Sequence, residues 1–223
     1  VEEKAVLYLG VDPKYFHTEK PLIHLPLIEV VARPKDSIEV KEVFSEIALY
    51  THMIFASRNG VKIFFEYLRQ AGHSVSELKH KYIIAIGQMS AHALKEEGAT
   101  PTYIAADETQ GGVIRVLSSL DLTEAYILLP KSSSARPILS HFLVEHEIRH
   151  RVCIFYDVYP LKPFTTPNLD EIDEIVFTDP ACVEAFFNLY PEISSDIRLH
   201  PLGESSREAL RKELALEAHV AIL

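Results

Sequence analysis

The sequence predicts an α/β protein of two similar doubly wound parallel-sheet domains joined by a two-stranded linker, one of the domains being discontinuous. Three observations predict it. First, a segment is repeated: Ile54-Phe55-Ala56-Ser57, Gly60-Val61 and Phe64-Phe65 return in order as Val176-Phe177-Thr178-Asp179, Cys182-Val183 and Phe186-Phe187. A second echo follows each copy, with Ile86-Gly87, Ser90 and Ala93-Leu94 matched by Leu202-Gly203, Ser206 and Ala209-Leu210. Each copy reads as a buried strand, a tight polar turn and a helix, and two copies in one order imply two like domains facing each other across a cleft. Second, strand candidates at 52–56, 82–86, 101–105, 126–130 and 150–159 are separated by helical patterns such as Val61, Phe64, Phe65 and Leu68, the alternation of a parallel sheet. Third, the C-terminal stretch offers only three strands, 174–178, 197–201 and 219–223, and the N-terminal stretch supplies another pair, 4–9 and 22–31. Together these match the middle five. The expected domains are therefore 1–33 with 164–223, and an inserted 36–160.

Along the chain, Val1-Glu2-Glu3-Lys4 has no charged-then-apolar signal pattern, no apolar run reaches membrane-spanning length, and Val1 in place of Met implies a trimmed terminus. Pro26 and Pro34 bracket the first domain crossing, the extended stretch Leu27–Ala32. Ile38, Val43, Phe44 and Ile47 predict a short amphipathic helix at the start of the inserted domain. The second crossing is Val152–Tyr159, followed by Pro160, Pro163 and Pro167. Proline fixes its own φ and biases its neighbour to extended geometry, so both crossings read as semi-rigid hinges.

The 223 residues suit two domains of about 110 each. A net charge of −10 without a basic stripe excludes general nucleic-acid binding. Cys153 and Cys182, isolated in an expected strand and helix, fit a reducing cytosol. A cytoplasmic monomer with no membrane partner is expected.

Chemistry is sought at the turns where strands end and helices open. They carry Ser57, Ser90, Thr109, Lys131 to Ser134, Thr178-Asp179, and Ser205-Ser206. Any one of these residues is an ordinary helix cap. Together they would line the carboxyl ends of parallel strands, where ligands bind and helix N-termini favour anions. Lys131-Ser132-Ser133-Ser134-Ala135-Arg136 is the most anion-friendly of them, with two cations around a hydroxyl cluster. No Walker pattern occurs, and Gly111-Gly112 is too little for a dinucleotide fingerprint. His146-Glu147-Ile148-Arg149-His150 matches the zinc-protease motif. Its chemistry needs both histidines on one helical face, whereas the helix is exhausted by Glu145 and His150 falls on a strand, so no zinc site is expected. Tyr159 is a packing residue, whereas Tyr156 is placed to point its hydroxyl at a ligand. No Ser-His-Asp, Cys-His or paired-carboxylate constellation can be read from spacing alone.

These residues resemble the uroporphyrinogen-III synthase family, and the resemblance spans nearly the whole chain. It rests on Ser57-Arg58-Asn59-Gly60-Val61 and, less faithfully, Asp179-Pro180-Ala181-Cys182-Val183, and on Gly87-Gln88-Met89-Ser90 and Gly203-Glu204-Ser205-Ser206. Arg136 before a leucine-bearing helix and Phe155-Tyr156-Asp157-Val158 in the returning strand complete it. The resemblance implies two α/β domains on a two-stranded hinge and a lyase reaction of tetrapyrrole (haem) biosynthesis. Hydroxymethylbilane, a polycarboxylate, would be dehydrated and cyclised with inversion of its terminal pyrrole ring, without metal or organic cofactor. Tyr156 would be catalytic, and Ser57, Ser90, Lys131, Ser132, Arg136, Thr178, Ser205 and Ser206 would bind substrate. Three departures stand out. Leu9-Gly10-Val11-Asp12-Pro13 leads into too few residues for the family's first helix, Asp179 replaces a hydroxyl, and the chain stops at Leu223, short of the family's closing helix. A non-catalytic two-domain anion-binding protein is the competing expectation.

Overall fold

The computed structural model describes residues 4–14 and 16–220. Strands β1 (Ala5–Tyr8), β2 (Leu22–His24) and β3 (Ile28–Ala32) precede helix α1 (Ile38–Ser45). Alternation then sets in: β4 (His52–Phe55), α2 (Arg58–Gln70), β5 (Tyr82–Ala85), α3 (Gln88–Glu96), β6 (Tyr103–Ile104), α4 (Gln110–Ser118), β7 (Ile127–Ser132), α5 (Ile138–Glu145) and β8 (His150–Pro160). The chain ends with β9 (Ile172–Phe177), α6 (Pro180–Leu189), β10 (Arg198–Pro201) and α7 (Glu204–Val220). Two compact units result: a terminal unit of Val1–Val30 with Val158–Leu223, and a central unit of Val31–Asp157.

The central elements form a six-stranded sheet in the order β3-β8-β7-β4-β5-β6, in which β8, β7, β4, β5 and β6 pair in parallel. The terminal elements form a parallel four-stranded sheet, β10-β9-β1-β2. Strand counting predicts five and five; the observed division is six and four. The reason is that Leu22–Val31 is not one strand. Pro26, which has no N–H to offer a ladder, separates β2 in the smaller sheet from β3 in the larger. The strand expected at 219–223 is also absent as far as residue 220, because α7 runs through it; 221–223 lie outside the described residues.

The repeat in the sequence is a repeat in packing. Val61, Phe64, Phe65 and Leu68 recur at helical spacing on α2 and are fully buried, as are Cys182 and Phe186 on α6, where Val183 and Phe187 are nearly so. In the central unit Phe55 meets Phe64 edge-on at 5.2 Å, lies stacked with Phe65 at 6.1 Å, and Phe64 meets Phe65 edge-on at 5.3 Å. Phe177, Phe186 and Phe187 repeat this at 5.4, 6.5 and 5.4 Å with the same sequence of edge, stacked and edge contacts. Each buried phenylalanine contributes about 1.5–3 kcal/mol, and edge-to-face geometry adds to it.

The terminal sheet is covered unequally. Its main core joins Leu7, Ile175, Phe177, Cys182 and Phe186. Among the described residues its other face holds a small cluster, Val6, Tyr8 and Val176, against Phe16 and Leu202. Between β1 and β2 no described residue is helical, and Phe16 from that connection packs on Tyr8 at 5.7 Å.

Candidate active site

Six of the parallel strands hand over directly to a helix: β4 to α2, β5 to α3, β6 to α4 and β7 to α5 in one sheet, β9 to α6 and β10 to α7 in the other. Helix N-termini therefore collect at the carboxyl edge of each sheet, where unpaired N–H groups and the positive ends of helix dipoles favour anions. The caps differ. Ser57 Oγ accepts from Gly60 N at 2.9 Å, Thr109 Oγ1 from Gly112 N at 2.9 Å, and an Asp179 carboxylate oxygen from Ala181 N at 2.8 Å. α3 is capped by Gly87 and α5 by Pro137, neither with a side-chain bond, so Ser90 is an interior residue of the first turn and not the opening residue the sequence implies.

Tyr156 is placed by an irregularity of β8. Ser132 pairs with Tyr156 while Lys131 pairs with Ile154, so the register shifts by a bulge between them. Exposure along β8 alternates from Val152 through Cys153 and Ile154 to Phe155; after the bulge Tyr156 is buried directly beside Phe155. A bulge of this kind re-aims a side chain. Here it leaves the Tyr156 hydroxyl 2.7 Å from Ser57 Oγ at the start of α2. Ser133 N donates to Tyr156 O at 3.0 Å, and Arg33 Nε lies 2.6 Å from Asp157 Oδ2, so the chain on either side of the phenol is fastened. Hydrogen bonds from Ser133 and Arg33 hold the Asp157 carboxyl below the usual carboxylate range.

The remaining expected residues spread over both edges. Ser90, Ser132 and Ser206 are buried, at 2%, 8% and 0% exposure, and Ser206 Oγ donates to Leu202 O at 3.1 Å. What their turns present is chiefly backbone N–H. Lys131 is half-buried on β7, and burial pulls its ammonium below the usual lysine range. Arg136 is half-buried just before α5, Ser205 is exposed in the first turn of α7, and Thr178 is half-buried with Oγ1 3.4 Å from Cys182 Sγ. The structure thus joins Ser57 to Tyr156 within the central unit and sets Thr178, Ser205 and Ser206 in the terminal unit.

Glu108 has no signal in the sequence. It adopts φ +54°, and its Oε1 accepts from Gln88 N at 2.9 Å, so a carboxylate of the chain itself sits on the N-terminus of α3. The two residues are 20 apart on different turns, and no periodic pattern links them. The bulge at Tyr156 likewise has no signature in residue types. The zinc motif divides between a helix end and a strand, as the residue types after Glu145 imply: His146 caps α5, His150 begins β8, and Glu147 between them has φ +52°. Among the described residues no group of three or more His, Cys, Asp or Glu could hold a metal, and no helix is long and apolar enough to cross a membrane.

Comparison with known proteins agrees with this architecture. A family model described as "Uroporphyrinogen-III synthase HemD" matches residues 21–221. Over 90 residues the chain is 34% identical to the "Porphyrin biosynthesis protein HemD" of Ruminiclostridium josui, a match covering 40% of this chain and 16% of that longer protein. Among solved structures, a mutant uroporphyrinogen III synthase of Thermus thermophilus superposes with a TM-score of 0.63 at 18% identity, covering 94% of this chain and 89% of that one. The uroporphyrinogen-III synthetase of Helicobacter pylori gives 0.56 at 17% identity, covering 98% of each. At these identities the likeness to the solved structures is one of fold.

Proposed function

Because the chain belongs to the uroporphyrinogen-III synthase family, we propose that it dehydrates hydroxymethylbilane and closes it, with inversion of the terminal pyrrole ring, to uroporphyrinogen III. The observation that carries this reading is the buried phenol of Tyr156, held at the carboxyl edge of the central sheet by the bulge in β8. The two units act as separate domains, 1–33 with 164–223 and 36–160, joined through β3 and β8. Their helix N-termini take the carboxylates of the substrate, with Ser90, Lys131, Ser132, Arg136, Thr178, Ser205 and Ser206 at those turns.

In the first step the C–O bond to the leaving hydroxyl breaks with its electron pair on oxygen. The phenol proton of Tyr156 goes to that oxygen and water departs. The pyrrole nitrogen lone pair fills the vacancy, giving an electrophilic azafulvenium that keeps its N–H. The substituted carbon of the last ring attacks it to form a spirocyclic intermediate. The bond from that carbon to its original methylene then breaks, the released methylene is recaptured at the ring's free α carbon, and the proton lost there on rearomatisation returns to the phenolate. An unperturbed phenol, with pKa near 10, is protonated and able to donate at neutral pH. Spontaneous closure without inversion competes. Outpacing it a hundredfold requires about 2.7 kcal/mol of barrier difference, which one or two hydrogen bonds to ionised groups supply. Positioning of the two chain ends does the rest.

The test is to supply freshly generated hydroxymethylbilane, oxidise the products and separate the porphyrin isomers. Predominant type III supports the reading. Type I alone, at the spontaneous rate, points to a binding protein without chemistry.

A further inference from the structure

Ser57 is expected from the sequence to bind a substrate carboxylate, but its hydroxyl is already engaged on two sides. Its oxygen accepts from Gly60 N at 2.9 Å, and it lies 2.7 Å from the Tyr156 hydroxyl. Gly60 belongs to the arrangement, since a Cβ there would come within 2.9 Å of Ser57 Oγ and displace it. Resting on the reading of Tyr156 as proton donor, we infer that Ser57 is a positioning residue that acts through Tyr156, as the middle of a chain from Gly60 N–H to Ser57 O–H to the phenol oxygen.

Proton accounting gives Ser57 this role. In the resting pair either hydroxyl can donate to the other. Once the phenol has given its proton to the departing oxygen, the phenolate can only accept. Ser57 then donates to it, and the lone pair facing Gly60 is held by a first-turn N–H at the positive end of α2. The bond therefore strengthens as charge develops on Tyr156. An interaction stronger in the transition state than before it raises kcat more than it lowers KM. No further proton acceptor is needed.

The experiment compares Ser57→Gly, Ser57→Thr, Tyr156→Phe, the Ser57→Gly/Tyr156→Phe double variant, and Ser37→Ala in the full chain. Ser57→Gly removes the hydroxyl while costing the helix start little, because glycine is a tolerated N-cap. Ser37→Ala removes a cap of the same kind from α1. The readout is type III formation, as kcat and KM across pH. Ser57→Gly is expected to lower kcat about tenfold to a hundredfold, the range of one hydrogen bond to a charged group. It should also move the alkaline limb of kcat upward by about one pH unit, as a tenfold loss of phenolate stabilisation does. Ser57→Thr should restore both, Ser37→Ala should leave the limb in place, and Ser57→Gly should add nothing in the Tyr156→Phe background. A raised KM with unchanged kcat and limb in Ser57→Gly would overturn the inference and return Ser57 to carboxylate binding. Wild-type kcat in Tyr156→Phe would instead overturn the reading of Tyr156 on which it rests.

Discussion

In the central unit β4 passes to α2 through Ser57, and in the terminal unit β9 passes to α6 through Asp179. Beneath the two caps the same three phenylalanines meet in the same edge, stacked and edge contacts. The interior of the repeat has held its geometry because any change of volume there costs packing energy. The cap has been free to diverge, since serine and aspartate both satisfy a first-turn N–H. Their chemistry differs all the same. A hydroxyl cap keeps a proton that it can donate onward, as Ser57 can toward Tyr156, whereas a carboxylate cap has none. Burial pushes the Asp179 carboxyl above the usual carboxylate range, so its charge is held at a cost. The copies differ at several positions of the turn, and under the proposed function the hydroxyl cap serves chemistry and the carboxylate cap binding.

The largest effects expected are on stability. Phe64→Ala and Phe186→Ala should each cost about 3–5 kcal/mol in denaturant unfolding, because both empty a fully buried aromatic site. Phe64 also touches Phe44 and Phe155, so it should cost the more of the two. A trivial loss at either position would break the parallel between the cores, and equal losses would remove the extra weight given to the Phe44 and Phe155 contacts. Next in size, Asp179→Ser should restore a neutral cap and lower KM for the polycarboxylate substrate about fivefold, roughly 1 kcal/mol of like-charge repulsion removed. Steady-state kinetics with unchanged kcat would bear this out, and a raised KM would mean that the carboxylate helps binding. The smallest effect concerns His52, at the amino end of β4. It is buried, stacks on Tyr82 at 4.8 Å, and has Nδ1 2.7 Å from Thr51 Oγ1. Burial lowers its pKa, so the folded state takes up its proton at lower pH than the unfolded chain. Stability from the neutral ring is full above the unfolded value of about 6.5 and is lost as pH falls from there toward the folded value. Melting curves of His52→Phe should fall less steeply over that range than those of the parent chain; parallel curves would remove His52 as a source of acid sensitivity.

Much of the fold was legible because it is written in periodicity. The helical spacing of Val61, Phe64, Phe65 and Leu68 and the alternation of strand and helix from His52 to Pro160 are local signals, and the repeat doubled them. The division of strands between sheets was not legible. Whether Leu22–Val31 is one strand or two turns on a single proline and on pairing with strands far away in the chain. The candidate site was half legible. Ser57, Tyr156 and the Lys131–Arg136 turn could be named from residue type and place. The bulge that aims Tyr156, the bond across 99 residues to Ser57 and the Glu108 carboxylate on α3 arise from tertiary register, which no local pattern encodes.

Under the proposed function the chemistry is assigned to the central unit and passes through one phenol. The most direct test of that assignment is the ratio of type III to type I product from Tyr156→Phe, with circular dichroism showing an intact fold. The substitution keeps the ring and removes only the donor. A general acid of this kind contributes about 10²–10⁴-fold, so type III formation should fall by that factor, with type I from spontaneous closure taking its place. An unchanged isomer ratio at unchanged rate would contradict the account and leave positioning alone as the source of catalysis.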